Sequence, residues 1–115
     1  MSSITLRLPV PPSTNNLFIN VKHGGRVPSP KYRLWKQQAA DTLWTQKRKK
    51  IEGQVSVRIV VPDKGRRDLD NFCKACLDFL VNHQFIATDD RHTLRKLEVS
   101  WADRNDCEVT VEQIT

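Results

Sequence analysis

Apolar and polar residues alternate with the period of a half-buried strand in several stretches of this chain. Ile4, Leu6, Leu8 and Val10 alternate with Thr5 and Arg7, and Val55, Val57, Ile59 and Val61 alternate with Gln54, Ser56 and Arg58. Successive strand side chains point to opposite faces, so residues 4–10 and 54–61 each turn one face to a core. Residues 94–101 and 107–114 read the same way. Leu97, Val99 and Trp101 are expected to face inward on the first, and Cys107, Val109 and Val111 on the second. The loop Ala102 to Asp106 is short enough to join these two as an antiparallel pair.

A helical period takes over in two segments. Tyr32, Trp35, Ala39 and Leu43 form one stripe, with Ala40 and Trp44 beside it. Ser29 is a fitting N-cap and Pro30 a fitting first residue, because the cap oxygen satisfies a free N–H and proline has none to waste. This helix is expected to end in Lys47-Arg48-Lys49-Lys50, where cations complement the C-terminal dipole, with Gly53 as its stop. Trp35 and Trp44 are both expected in the core rather than as base-stacking platforms. Leu69, Phe72, Cys73, Cys76, Leu77 and Leu80 make the second stripe. The proline-rich stretch after residue 8 ends the first strand, and Leu17 to Val21 and Arg26-Val27, flanking His23-Gly24-Gly25, read as a short hairpin or an ordered loop. The order β-(hairpin)-α-β-α-β-β predicts an α+β class. Residues 1–115 then form a single domain, a mixed sheet of four to six strands covered by two helices.

A length of 115 residues suits one core. Its 38% hydrophobic content is somewhat polar yet globular, and its aromatic and β-branched residues argue against disorder. Nineteen Lys and Arg against thirteen Asp and Glu give a formal charge of +6, the sign expected for a phosphate-backbone partner. No apolar run approaches a bilayer span, and the start lacks the basic and apolar regions of a secretory signal, so a cytoplasmic location without membrane contact is expected. Three cysteines without export features fit reduced thiols. Cys73 and Cys76 form a CxxC, but both lie on the apolar stripe, where free cysteine packs as a small core residue.

Against the basic background stands an acidic cluster. Asp68 and Asp70 flank Leu69 where a loop meets the second helix, with Lys64, Arg66 and Arg67 before them and Lys74 four residues beyond Asp70. In an extended stretch, residues i and i+2 share a side, so both carboxylates could face one cation. The plainer alternative is a capping Asp68 with Asp70 favoured by the helix dipole. Lys74 likewise has a plain alternative, an ion pair with Asp70 or Asp78. A further pair, Asp89-Asp90, follows the second helix, and a helix returning antiparallel to the sheet is expected to lead the pair back beside the first. Mg²⁺ is a hard ion that keeps several waters, so two or three aspartates suffice to hold it.

These residues resemble the RusA family of Holliday-junction resolvases, small dimeric Mg²⁺-dependent endonucleases. The resemblance rests on Pro11-Pro12-Ser13-Thr14-Asn15-Asn16, on Arg66-Arg67-Asp68-Leu69-Asp70-Asn71, and on Lys74-Ala75, Asp78 and Asp89-Asp90. It implies catalytic and metal-holding roles for Asp68, Asp70 and one of the later pair, with Asp90 favoured and Asp89 the alternative, and a catalytic role for Lys74. The stretch from Lys74 to that pair runs a residue longer than the family's usual form, and Gly65 interrupts the basic run. The resemblance also places Asn15 and Asn16 near the cleft.

The combined expectation is a Mg²⁺-dependent endodeoxyribonuclease, with Mn²⁺ able to take the metal's place and no small-molecule cofactor. It would resolve four-way junctions by paired nicks in recombination and repair. DNA contacts are expected from Lys64, Arg66, Arg67, Asn71, Asn15, Asn16, Lys47, Arg48, Lys49 and Lys50. Two cuts from chains with one site each call for a homodimer. The alternatives are a nuclease acting on flaps, other branched DNA or RNA, and a non-catalytic basic nucleic-acid-binding module whose aspartates are caps.

Overall fold

The computed structural model describes residues 2–114. Its elements run β1 (Ser3–Leu8), β2 (Phe18–Val21), β3 (Gly25–Pro28), α1 (Pro30–Thr42), β4 (Val55–Pro62), α2 (Cys73–Asn82), β5 (Leu94–Ala102) and β6 (Cys107–Gln113). The expected order is therefore present, and the class is α+β. β2 and β3 pair as a separate hairpin, while the main sheet has the order β1-β6-β4-β5.

One face of that sheet carries the core. Val55, Val57, Ile59 and Val61 are fully buried on β4, as are Val109 and Val111 on β6 and Leu6 on β1. Burying each such side chain contributes about 1.5–3 kcal/mol, which makes the alternation in the sequence an energetic instruction. Tyr32, Trp35, Ala39 and Leu43 of the α1 segment close over it with Ala75, Cys76, Phe79 and Leu80 of α2. Cys76 and Cys107 are buried against each other as free thiols. Their mutual hydrogen bond and burial hold the Cys76 thiol well above its ordinary pKa, which suits a packing role.

Ser29 caps α1 as expected, its Oγ accepting from the Tyr32 N–H at 3.1 Å and donating to the Asn16 carbonyl at 2.7 Å. Several expectations need correction. α1 ends at Thr42, followed by a 3₁₀ turn Leu43–Thr45, so Lys47 to Lys50 are exposed irregular chain and not a helix end. Gly53 lies in the turn before β4, with φ +74°. Trp44 is not in the core but 90% exposed, whereas Trp35 is 3% exposed.

The largest correction concerns β5. It does not pair with β6; β4 lies between them, pairing parallel with β5 and antiparallel with β6. A strand, a helix and a second strand parallel to the first make a crossover unit, which starts both strands at the same end of the sheet. β5 is consequently an edge. Leu97, Val99 and Trp101 align with the core-facing Val57, Ile59 and Val61, so their parity was read correctly. Val99 packs partly against the core, but Leu97 and Trp101 are each left 39% exposed.

Candidate active site

The loop leaving β4 carries the acidic pair. Gly65 turns it with φ +86°, a left-handed conformation that favours glycine, and this is the backbone reason for the interruption in the basic run. Asp68 is extended, at φ −74° and ψ 153°, and precedes a 3₁₀ turn Leu69–Phe72 that leads into α2. Asp70 thus sits in the turn, not in the extended stretch expected. Asp68 occupies the N-cap position, yet its carboxylate makes no capping hydrogen bond. Both aspartates are exposed, so their oxygens face solvent and remain available to a cation.

Arg67 locks this loop in place. Its guanidinium donates to the Pro11 carbonyl and lies 5.0 Å from the centre of the Phe72 ring. Phe72 in turn meets Trp101 edge-on at 5.9 Å, which ties the acid loop to the end of β5. The Thr14 hydroxyl reaches the Asn71 carbonyl at 3.4 Å, bringing the Asn15–Asn16 turn alongside. Lys64 bonds Asn105 Oδ1 at 2.6 Å, and Arg66 is exposed.

Lys74 stands in the first turn of α2. Its Nζ donates to Asp78 Oδ1 at 3.1 Å, and Asp78 Oδ2 accepts from the Tyr32 hydroxyl at 3.4 Å. Burial, and the Asp78 carboxylate after it, raise the Tyr32 pKa, so the phenol stays a proton donor. Asp78 therefore positions the lysine, and an ammonium with three protons keeps two for other acceptors. Lys74 also lines a cavity of about 360 Å³ with Thr14, Asn15, Leu17, Phe18 and Arg26. Arg26 was not singled out in the sequence. It comes from the hairpin, its guanidinium 5.5 Å from the Phe18 ring centre, and only the hairpin's register places it there.

Asp89 and Asp90 lie elsewhere. The Val55 N–H donates to the Thr93 carbonyl at 2.8 Å, so the turn holding Asp90 sits where β4 begins, whereas Asp68 follows the end of β4. Eight strand steps from Thr93 to Trp101 at about 3.3 Å each separate the two ends by about 26 Å. Accordingly, among the described residues no three His, Cys, Asp or Glu side chains gather to hold an ion. Asp90 Oδ1 accepts from the Thr88 hydroxyl and the His92 N–H, each at 2.9 Å, and these bonds lower its pKa. Both aspartates of this turn are exposed. Lys47 to Lys50 lead towards the same end, because the Ile51 N–H bonds the Phe85 carbonyl just ahead of β4.

Paired carboxylates, a lysine held by a second acid and a rim of basic side chains on an α+β scaffold suit a protein that acts on phosphodiesters. The sequence profile described as "Endodeoxyribonuclease RusA" matches residues 9–112. A curated relative, the crossover junction endodeoxyribonuclease RusA of Aquifex aeolicus (strain VF5), is 32% identical over 99 residues, covering 80% of this chain and 77% of the relative. The chain belongs to the RusA family. No helix among the described residues is long and apolar enough to cross a membrane.

Proposed function

We propose that this protein is a metal-dependent endodeoxyribonuclease that resolves four-way DNA junctions as a homodimer, cutting one strand from each of two sites. The observation that carries this is the uncapped, exposed Asp68 with Asp70 in the turn that leads into Lys74, a lysine held by Asp78. A cap would have turned its carboxylate onto the backbone; instead it is exposed. Family membership supplies the substrate class, because the Aquifex relative is named for crossover junctions.

The donor set fits Mg²⁺. Asp68 and Asp70 are exposed hard-oxygen donors, and Mg²⁺ is content with few carboxylates and several waters. When bound, such an ion polarises the scissile phosphate and activates a water for in-line attack. The protein's own part is positioning. Lys74, steadied by Asp78, offers protons to the phosphate oxygens where charge develops. Arg66, Lys64 and Arg26 attract the backbone, and Asn15, Asn16 and Asn71 shape the cleft wall, while Arg67 keeps the acid loop in place. Lys47, Arg48, Lys49 and Lys50 add attraction further out.

The third carboxylate is supplied by the second copy. What supports this is the bare edge of β5: nine residues with one side unpaired and Leu97 and Trp101 partly exposed. Such an edge invites another strand. Pairing β5 antiparallel with its own copy is isologous, so it closes at two. That pairing sets the start of one β5 beside the end of the other. Asp90 of the second copy, or its neighbour Asp89, then stands beside Asp68 and Asp70 of the first, and both active centres need both chains.

Asp70→Asn tests the enzymatic part. It is expected to abolish Mg²⁺-dependent cleavage of a synthetic four-way junction while junction binding in EDTA is kept. A wild-type protein that cuts no branched DNA with Mg²⁺ or Mn²⁺ would end the proposal. Side-by-side cleavage of junction, flap and linear DNA separates a resolvase from a broader nuclease.

A further inference from the structure

Trp44 is the most exposed large hydrophobic residue among those described, at 90%. It follows α1 directly, in the turn Leu43–Thr45, and overlooks a cavity of about 320 Å³ lined with Ala40, Leu43, Arg48 and His83. Arg48 is held there, with Nη2 donating to the His83 carbonyl at 3.4 Å and its guanidinium 6.0 Å from the Phe85 ring centre. Lys47, Lys49 and Lys50 are exposed alongside. Among the described residues their one ion pair, Lys50 to Glu52, is long at 4.0 Å and exposed, so the patch stays strongly positive.

An indole left in water forgoes the gain of burying a large apolar ring, and one beside a cationic segment repels a second copy of the same patch. Both features are matched by one kind of ligand, a flat aromatic ring attached to phosphates. His83 caps the C-terminal end of α2, whose first turn carries Lys74. Nine helical steps of about 1.5 Å put the two ends about 14 Å apart. At about 3.4 Å per nucleotide, a strand lying along α2 covers that distance in about four steps.

We propose that Trp44 stacks on a nucleobase of the DNA strand held beside Lys74, about four nucleotides from that residue, while Lys47, Lys49 and Lys50 take the neighbouring phosphates. The inference rests on DNA being the ligand. A duplex arm offers stacked bases with no free face, so the site selects a base that is unpaired or at a branch or end. Sequence is not read there, because every base presents a π-face.

The test measures binding of a short single-stranded oligonucleotide and of a four-way junction in EDTA, by anisotropy, with Trp44→Ala, Trp44→Phe and Lys49→Ala. Trp44→Ala is expected to weaken oligonucleotide binding by about 5- to 100-fold with the salt slope unchanged, and Trp44→Phe to restore most of it. Lys49→Ala is expected to reduce the salt slope by about one unit. Trp44 fluorescence is expected to be quenched by the oligonucleotide. Trp44→Ala binding like wild type, or altering sedimentation of the free protein, overturns the proposal, the latter because the indole would then be covered by a second copy. Junction cleavage by wild type is scored separately. If it fails while Trp44→Ala still loses affinity, the nuclease reading falls and the stacking site stands; cleavage with unchanged Trp44→Ala binding gives the reverse.

Discussion

Mixing two inactive variants is expected to restore cleavage. Asp70→Asn removes a carboxylate from the acid loop, and Asp90→Asn removes one from the turn before β5. Within one chain these positions are held at opposite ends of β4 and β5, about 26 Å apart over eight strand steps. A Mg²⁺–oxygen distance is about 2.1 Å, so no side-chain rotation joins them around one ion. In a mixed dimer, one centre combines the intact acid loop of the Asp90→Asn chain with the intact Asp90 of the Asp70→Asn chain. The other centre carries both changes. Random reassortment makes about half the dimers mixed, each with one working centre, so about a quarter of all centres recover. The assay is cleavage of an end-labelled junction and of a cruciform plasmid after mixing, with chain exchange checked by native mass spectrometry. Recovered activity is expected as single nicks, since only one centre per dimer works. Exchanged mixtures that cut no better than either variant alone would refute assembly of the centre across two chains. Repeating the mixture with Asp89→Asn separates the neighbours.

Leu97→Asp on the β5 edge is expected to give a folded monomer by sedimentation that has lost Mg²⁺-dependent cleavage, because an unpaired buried carboxylate costs the interface about 2 kcal/mol or more. A variant that stays dimeric would place the interface elsewhere. Gln84 holds φ +62° just past α2, a left-handed conformation unfavourable for a residue with a Cβ. Gln84→Gly is therefore expected to raise stability by about 0.5–1 kcal/mol in urea titration, and a lower midpoint would contradict this. His83 has its pKa lowered below the ordinary 6.5 by burial and then by the Arg48 charge. A depressed histidine resists protonation in the folded chain but not in the unfolded one. Stability is therefore expected to fall as pH drops through 6.5 and to level off below the folded value. The drop in urea midpoint between pH 7.5 and 5.5 should shrink in His83→Gln; an unchanged drop would assign it to other groups.

Much of the fold was legible because its signals are local. Val55 to Val61 alternate with a period that only a strand buried on one face uses, and Ser29-Pro30 starts a helix by chemistry within one turn. The acid loop was legible for the same reason: Asp68, Asp70 and Lys74 are neighbours in sequence and stay neighbours in space. The end of α1 was not, since Lys47 to Lys50 are compatible with a helix and only the need to reach β4 draws them out of it. Trp44 was misplaced because a stripe of apolar residues gives the direction of a helix face but not the reach of the surface that covers it. Arg26 was missed because hairpin register, a pairing between segments, carries it to Lys74's cavity.

Asp90 marks the boundary most clearly. Its identity and its turn are local, but its distance from Asp68 depends on which strand β5 joins. Antiparallel pairing with β6 was the locally cheaper expectation, given so short a loop. The chain instead places β4 between them and runs β5 parallel to it. A parallel crossover starts both strands at the same end, so the loop before the second strand faces away from the loop after the first. The sequence by itself determined the elements, their buried faces and the acid loop. Strand order, a property of the whole sheet, decided that the two acidic pairs stand at opposite ends and that β5 is left bare.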